Sequence, residues 1–355
     1  MQKSADRLNF FHMEKKARAL GMISGGLDSV LAVALLKKLG VEVTGLHFLN
    51  GFGAGSLKKR VWGKLSFAEI AAEKKKMLEG KLDIPVRVID VSEEFLGVLS
   101  SPQFGYGKNI NPCIDCRIFL LGKAKEIMDA EGFDFIFTGE VLGQRPMSQH
   151  FQAMQQVEKQ SGLKGKLLRP LCAKLLSPTD AEKAGLVDRT KLLDIQGRTR
   201  KRQMQLAEEL EIGEYATPAG GCTLTDENYA RKYNDLISHG AAVTCEDTVL
   251  ISMGRHLRLS DGVKVVVGRR ENENDYLEWE WGGKINLTTL DHPGPVTVII
   301  GDPSEEEIRQ AAAITARYSD GKGEESVRVS VTNGDDVSEL TVAPATDEDL
   351  DRWRI

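Results

Sequence analysis

The sequence predicts an α/β fold: a doubly wound, mostly parallel sheet followed by a smaller α+β domain. From about residue 17 to residue 210, short apolar runs alternate with segments of helical period. After about residue 230, the runs become closely spaced strands separated by Gly and Asn turns. Alternating strands and helices give a parallel sheet covered on both faces, with its ligands at the C-terminal strand ends. We therefore expect an N-terminal extension at 1–16, an α/β domain at 17–230 and a second domain at 231–355.

The elements follow from these runs in order. The predicted strands of the first domain are Arg18–Ile23, Val41–Phe48, Val86–Asp90, Phe133–Thr138 and Lys166–Leu171. The predicted helices are Ser29–Leu39, Ser66–Leu78, Ile114–Ala130, Ser148–Gln160 and Thr199–Leu210. The glycine-rich stretch at 51–66, "GFGAGSLKKRVWGKLS", predicts a long mobile loop near the ligand. In the second domain we expect several strands, a helix near Ser304–Tyr318, and a hairpin at the Asn-Gly of "VRVSVTNGDDVSELTV".

Composition and charge narrow the class of protein. No apolar stretch approaches the roughly 20 residues of a membrane span, and the first fifteen residues lack a signal-peptide core. We therefore predict a cytoplasmic location and no membrane partner. The net charge of −5 combines +5 over residues 1–230 with −10 over residues 231–355. A mildly basic first part tolerates a polyanionic partner, whereas the acidic second part does not attract one by bulk charge.

The segment "SGGLDS" stands between the first strand and the first helix and predicts a phosphate-binding loop. Glycines allow a close backbone approach to an anion, which the helix N-terminus then binds. A carboxylate in such a loop repels phosphate unless a cation bridges the two, which indicates that Asp28 binds Mg²⁺ or positions pyrophosphate. The alternative is a simple helix cap by Ser24 or Asp28. The expected phosphate-loop residues are Ser24, Gly25, Gly26, Asp28 and Ser29.

This loop resembles the PP-loop of the ATP pyrophosphatases, which split ATP between its α and β phosphates and adenylate a substrate oxygen. "TGEVLGQRPMSQ" (138–149) and "LLRPL" (167–171) are similar to the signature of tRNA 4-thiouridine synthetase. The resemblance implies MgATP as the nucleotide and residues 17–230 as the thiolation domain. The nucleotide contacts that it implies outside the loop are Met22, Ile23, His47, Phe48, Arg117, Gly139 and Gln149.

Three of the five cysteines form a candidate reactive set. Cys113 and Cys116 open a helix beside Arg117, an environment that favours thiolates, and Cys222 follows a glycine turn that predicts an exposed ligand or nucleophile. In the related 2-thiouridylases, a cysteine at the Cys116 position and a second, distant one carry persulfide and close a disulfide. Other sulfur-transfer relatives bind a [4Fe–4S] cluster through three thiolates, which would here be Cys113, Cys116 and Cys222. We favour the cluster and leave open the persulfide relay and a structural or zinc role. We expect Cys172 and Cys245 to be packing residues.

Two basic segments are candidates for RNA binding. A basic first turn opposes the helix dipole, so the cluster at 198–202 suggests a polyanion such as tRNA, although a solvated helix face remains the alternative. "GRHLRLSDGVKVVVGRRENENDYL" (254–277) resembles the RNA-binding portion of NFACT proteins over about a hundred residues. That resemblance implies an RNA-binding face with Arg255, His256, Arg258, Arg269 and Arg270. The expected RNA contacts of the first segment are Arg198, Arg200, Lys201 and Arg202.

Together these features predict an ATP-dependent tRNA sulfurtransferase. A uridine carbonyl oxygen would attack the α-phosphate, and sulfur from the cysteine site, with Cys116 and Cys222 catalytic, would displace AMP. The motifs leave open C4 or C2 of uracil, a sulfide or persulfide-carrier donor, and a homodimer. One alternative is a PP-loop ligase or small-molecule sulfurtransferase that does not use RNA. A second is an RNA-binding or ribosome-associated factor that uses ATP binding as a switch.

Overall fold

A computed structural model describes residues 16–213, 222–240 and 242–355. Within them the strands are β1 (Arg18–Met22), β2 (Glu42–Leu49), β3 (Val86–Asp90), β4 (Phe135–Thr138), β5 (Leu167–Leu168), β6 (Arg255–Ser260), β7 (Val263–Val267), β8 (Ile285–Thr289), β9 (Thr297–Ile300), β10 (Val327–Asn333) and β11 (Asp336–Val342). The α-helices are α1 (Leu27–Lys38), α2 (Ala54–Gly63), α3 (Phe67–Leu82), α4 (Ser92–Ser100), α5 (Cys113–Glu131), α6 (Phe151–Gln160), α7 (Asp180–Lys183), α8 (Lys201–Glu209), α9 (Glu227–Ser238), α10 (Cys245–Leu250), α11 (Glu271–Trp281), α12 (Glu305–Arg317) and α13 (Asp347–Trp353).

The described chain forms two compact units. Residues 16–47, 77–87 and 117–213 make up the first, and residues 48–76, 88–116, 222–240 and 242–355 the second. The predicted domains, 17–230 and 231–355, meet at a single boundary. In the structure, two segments that lie within the first predicted domain, 48–76 and 88–116, belong to the second unit. The predicted extension at 1–16 lies, except for its last residue, outside the described residues.

The predicted parallel sheet is confirmed. Its strand order is β3-β2-β1-β4-β5, and β1 pairs in parallel with both β2 and β4. This order places β1 at the centre, so that ligands are expected beyond its carboxyl end. β1 is followed directly by the phosphate loop and α1.

Most predicted elements of the first domain are present, with two differences. The strand predicted at Lys166–Leu171 is reduced to Leu167–Leu168, because the chain turns into a 3₁₀ segment after Cys172. The prediction of a mobile loop at 51–66 is wrong: residues Ala54–Gly63 form α2, which buries Leu57 and Val61. The glycines at 51, 53 and 55 suggested a loop, but the tertiary contacts of the apolar residues after them stabilise a helix.

The second unit contains a six-stranded antiparallel sheet in the order β11-β10-β8-β9-β7-β6. Alternate residues of β7 face opposite layers, since Val265 and Val267 pack in one apolar cluster and Val266 in another. The first cluster contains residues of α12, and the second contains Leu57 and Val61 of α2 with Tyr276 of α11. The predicted α+β domain and its hairpin are confirmed, with Asn333 and Asp336 paired across the turn.

Within the described chain, every helix is too short or too polar to cross a membrane.

A glycine in β1 sets the packing of the central sheet. A Cβ on Gly21 would lie 2.4 Å from the Phe137 ring, whose residue is 1% exposed. We expect Gly21→Ala to lower the free energy of unfolding by about 1–3 kcal/mol, because the ring has little room to move. Thermal unfolding followed by circular dichroism measures this, and Gly21→Ala/Phe137→Leu should recover part of the loss.

The matched control is Gly122→Ala on α5, where a Cβ meets no atom within 4 Å. An interior helical alanine should be neutral or stabilising there. Equal melting temperatures for Gly21→Ala and the wild type would contradict this account of the sheet.

Candidate active site

The phosphate loop joins β1 to α1 and is shaped by its two serines. Gly25 has φ +84°, a left-handed conformation that favours glycine. The Ser29 hydroxyl donates to the Gly26 carbonyl at 2.8 Å and accepts from the Gly25 N–H at 3.2 Å. Gly26 is the N-cap residue of α1 and makes no side-chain cap hydrogen bond, while the Ser24 hydroxyl accepts from the Gly26 N–H at 3.2 Å. The N-cap position itself is therefore not occupied by Ser24 or Asp28, and the helix N-terminus is suited to an anion.

Asp28 lies in the first turn of α1, and its two carboxylate oxygens have different surroundings. Oδ2 is 3.3 Å from Nη2 of Arg200, whereas Oδ1 is buried and has no hydrogen-bond partner among the described residues. An unpartnered buried carboxylate oxygen is costly unless a cation or donor approaches it. This carboxylate at a phosphate loop fits a Mg²⁺ ligand.

Gly139, at the end of β4, lies against this turn. A Cβ there would be 2.5 Å from the carbonyl carbon and oxygen of Asp28. Gly139 as a nucleotide contact stays a prediction. The structure gives a reason of its own for glycine at this position, since the absence of a side chain lets β4 approach the backbone that carries Asp28.

Glu140 follows at once and is the centre of a buried ion-pair network. Its carboxylate oxygens lie 3.5 Å from Arg117 Nε and 3.0 Å from Arg169 Nε, and Arg169 also pairs with Glu158 at 2.9 Å. Burial raises the pKa of Glu140, but the charges of Arg117 and Arg169, with hydrogen bonds from Arg169 and Thr138, outweigh it and leave the pKa lowered. The network therefore links the two signature segments, and Arg117, predicted as a phosphate contact, takes part in it.

The other residues predicted to bind ATP lie at strand ends or in the loop after β4. His47 Nδ1 is 2.6 Å from the Ile23 carbonyl, which fixes the ring beside the end of β1. Gln149 is 3% exposed, and its Oε1 has no hydrogen-bond partner among the described residues. Ser148 Oγ and Gln144 Nε2 likewise have no hydrogen-bond partner among the described residues. Unpartnered polar atoms are therefore concentrated in the signature segment 138–149. Met22, at the end of β1, and Phe48, in the part of β2 that belongs to the second unit, are both half-buried.

The four basic residues at the start of α8, at 198–202, fall into two groups. Arg200 pairs with Asp28 and Arg202 pairs with Asp194 at 2.7 Å, and the RNA contacts predicted for both stay predictions. Arg198 and Lys201 are exposed. The sequence reasoning missed Gln203, which is fully buried on α8, a helix that packs on α1, and whose amide atoms have no partner among the described residues. Its spacing of three from Arg200, one helical turn, was the available signal.

The cysteines follow the predicted division into buried and accessible residues. Cys172 and Cys245 are buried, Cys113 and Cys116 are half-buried, and Cys222 is exposed. Cys113, Cys116 and Cys222 belong to the same unit. Among the described residues, however, no three His, Cys, Asp or Glu side chains are placed to hold a metal ion. The described arrangement does not fit a [4Fe–4S] site, and the cluster stays a prediction.

The residues of the NFACT-like face differ in accessibility. His256 is buried with 2% exposure, so it does not lie on a surface for RNA, and Arg258 pairs with Asp235 at 2.6 Å. Arg255 lies over the ring of Tyr318, 4.4 Å from its centroid. Arg269 and Arg270 are both exposed.

Comparison with known proteins finds two separate matches. Residues 17–161 match the family described as tRNA methyl transferase HUP domain, and residues 254–354 match the NFACT protein RNA binding domain. Both resemblances drawn from the motifs are thereby confirmed for these segments.

The curated relatives include tRNA-specific 2-thiouridylases from Petrotoga mobilis and Thermus thermophilus. The first is 33% identical over 134 residues, which is 35% of this chain and 35% of that protein. The second is 33% identical over 138 residues, which is 35% of this chain and 36% of that protein. The chain thus spans about a third of the length of these relatives. A solved 4-thiouridine synthetase–RNA complex with bound ATP aligns at 16% identity over 55% of this chain and 52% of that one, with a TM-score of 0.33, too low to bear on function.

Burial separates the cysteines chemically and yields a prediction. Burial raises the pKa of both Cys172 and Cys245 to about 11, so that at pH 8 only roughly one such thiol in a thousand is ionised. With a thiol reagent such as DTNB at that pH, Cys222 should react fastest and Cys172 and Cys245 only after unfolding. Single Cys→Ser variants assign each phase. Rapid reaction of all five thiols in the folded protein would contradict the described burial.

Proposed function

We propose that the protein is an ATP-dependent tRNA sulfurtransferase of the PP-loop type. The observation that carries this proposal is the phosphate loop that follows the central strand, with an Asp28 carboxylate whose Oδ2 pairs with Arg200 and whose Oδ1 is buried without a partner among the described residues. The match of residues 17–161 to the HUP-domain family and the thiouridylase relatives support tRNA thiolation, and the NFACT-like match supports RNA as the partner.

The residues of the loop account for the first step. The N-terminus of α1 and the loop N–H groups would bind the ATP phosphates, and Arg200 would add a cation beside them. Asp28 would hold Mg²⁺, which neutralises phosphate charge when it is bound. A uracil carbonyl oxygen attacks the α-phosphate and pyrophosphate leaves, while the fixed donors stabilise the negative charge that develops on the phosphoryl oxygens.

The second step replaces the activated oxygen with sulfur. Sulfide attacks the base carbon directly, or the outer sulfur of a persulfide on one of two cysteines attacks it, and AMP leaves with the original oxygen. In the persulfide route, the thiolate of the other cysteine then attacks the inner, cysteine-bound sulfur, which breaks the S–S bond and frees the thiolated base. The two cysteines are left as a disulfide, which an external thiol reductant reopens. We assign Cys116 and Cys222 to sulfur delivery, with Cys113 as the further accessible thiol near Cys116. Nothing in this scheme depends on a metal cluster. Nucleoside analysis of the product tRNA identifies the position on uracil, C4 or C2, and assays with sulfide or a persulfide carrier as the sole sulfur source identify the donor.

Asp28→Asn tests the first step directly. The amide keeps the shape of the side chain but removes the charge that attracts the cation, so tRNA-stimulated pyrophosphate release should fall at least about 100-fold. The control is Asp83→Asn, a carboxylate 99% exposed in the same unit and paired with Lys37, which should release pyrophosphate at the wild-type rate.

Other outcomes of that assay exclude the proposal. ATP binding without pyrophosphate release in the wild type would favour the RNA-binding factor with an ATP switch. Release that a small molecule stimulates and tRNA does not would favour the ligase or small-molecule sulfurtransferase. Thionucleosides that persist unchanged in tRNA from cells lacking the protein would contradict a role in thiolation.

Arg200→Ala decides between the two roles of this arginine. If Arg200 contacts the phosphates, the apparent affinity for ATP should fall about 10- to 150-fold, while tRNA binding without ATP stays unchanged. Arg87→Ala, which removes another arginine of the first unit, one paired with Glu131, should alter neither quantity. Loss of tRNA affinity alone would return Arg200 to the predicted RNA-binding face.

A further inference from the structure

A cavity of about 390 Å³ lies within the second unit. Its walls come from α2, the turn after Cys222, the segment before β6 and the start of α11. The polar and aromatic residues of its lining include Lys58, Trp62, Thr223, Arg269, Arg270 and Glu273. Neither family match assigns a role to this combination.

Helix α2 is held rigidly on the second unit. Leu57 and Val61 are 4% exposed and pack with Tyr276. Arg60 pairs with Glu280 at 2.7 Å and lies 4.9 Å from the centroid of the Trp279 ring. These contacts fix the orientation of the helix and therefore of the residues that line the cavity.

Lys58 and Trp62 stand four residues apart on α2 and form a pair. The Lys58 ammonium lies 3.9 Å from the centroid of the Trp62 ring, and the indole remains 45% exposed. The exposed part of the indole is therefore accessible to a ligand in the cavity that Trp62 lines. Because the ammonium lies over one face of the indole, the opposite face is the one suited to stacking a nucleic-acid base, and the cation is placed to hold a phosphate nearby.

The rest of the lining is positively charged on balance. Arg269 pairs with Glu273 at 3.0 Å, which neutralises the carboxylate. Arg270 is exposed and has neither a side-chain hydrogen bond nor an ion pair within the described part of the chain. Thr223 Oγ1 is buried without a hydrogen-bond partner among the same residues. The cavity therefore offers cations and an unused hydroxyl in a domain whose bulk charge is negative.

We propose that this cavity binds one nucleotide of single-stranded RNA, with its base on Trp62 and its phosphate between Arg270 and Lys58. The identity of the RNA as substrate rests on the proposed function. Thr223 lines the cavity and directly follows Cys222 in the chain, so a nucleotide bound here is delivered beside the exposed candidate nucleophile. The cavity thus supplies a local basis for RNA binding that the acidic composition of the domain does not.

The test measures binding of a fluorescein-labelled single-stranded RNA of about six nucleotides by anisotropy, with the full-length protein and without ATP. Trp62→Ala should weaken binding about 5- to 150-fold, whereas Trp62→Phe keeps an aromatic face and should retain most of the affinity. Arg270→Ala should weaken binding and reduce the slope of log K against log salt by about 0.7. Arg309→Ala, an exposed arginine on α12, is the matched control and should change neither.

The outcomes separate this proposal from the previous one. Unchanged RNA affinity in folded Trp62→Ala and Arg270→Ala would overturn it, as would equal losses for Trp62→Ala and Trp62→Phe. Binding of an acidic peptide in place of RNA would show a protein-docking site and overturn it as well. If RNA binding depends on Trp62 while the wild type releases no pyrophosphate with tRNA, the cavity assignment stands and the sulfurtransferase proposal fails.

Discussion

A carboxylate buried at the end of a central strand destabilises a fold by several kcal/mol unless cations and hydrogen bonds surround it. Glu140 has both, from Arg117, Arg169 and Thr138, and its neighbour Gly139 lies against the backbone of Asp28. The network therefore fixes the end of β4 relative to the turn that carries the Asp28 carboxylate. Removing Arg169 would leave the buried Glu140 with only the more distant Arg117, and removing Glu140 would leave Arg169 with Glu158 alone. The geometry of the phosphate loop therefore depends on a pair that need not touch ATP.

The features predicted correctly from the sequence are those encoded locally. The strand–"SGGLDS"–helix arrangement, the alternation that gives a parallel sheet and the Asn-Gly hairpin each depend on a few neighbouring residues. The buried character of Cys172 and Cys245 also follows from their apolar surroundings in the chain. The two signature segments are recognisable as sequence patterns. Their physical role, which is to supply Glu140 and Arg169 to one ion pair, appears only in three dimensions.

The features that the sequence did not predict depend on contacts between distant residues. Arg200 lies in a basic cluster that is typical of an RNA contact, and only the packing of α8 on α1 brings it to Asp28, 172 residues earlier. The stretch at 51–66 has three glycines in its first five residues, which favours a loop, yet Leu57 and Val61 find apolar partners near residues 250, 276 and 298. Long-range burial outweighed local propensity in that helix.

The docking of α2 on the second unit also constrains how the chain is made and how it is dissected. Its buried face meets residues of β7, β9 and α11, which leave the ribosome roughly two hundred residues after α2 itself. Until those residues have been synthesised, Leu57 and Val61 remain exposed in the nascent chain, although the strands on either side of α2 can already pair. A shortened protein that ends before β6 would lack the residues of β7, β9 and α11 that cover most of this apolar surface, and loss of RNA binding in it would be hard to tell from aggregation. Substitutions in the intact chain are therefore the sounder way to examine the second unit.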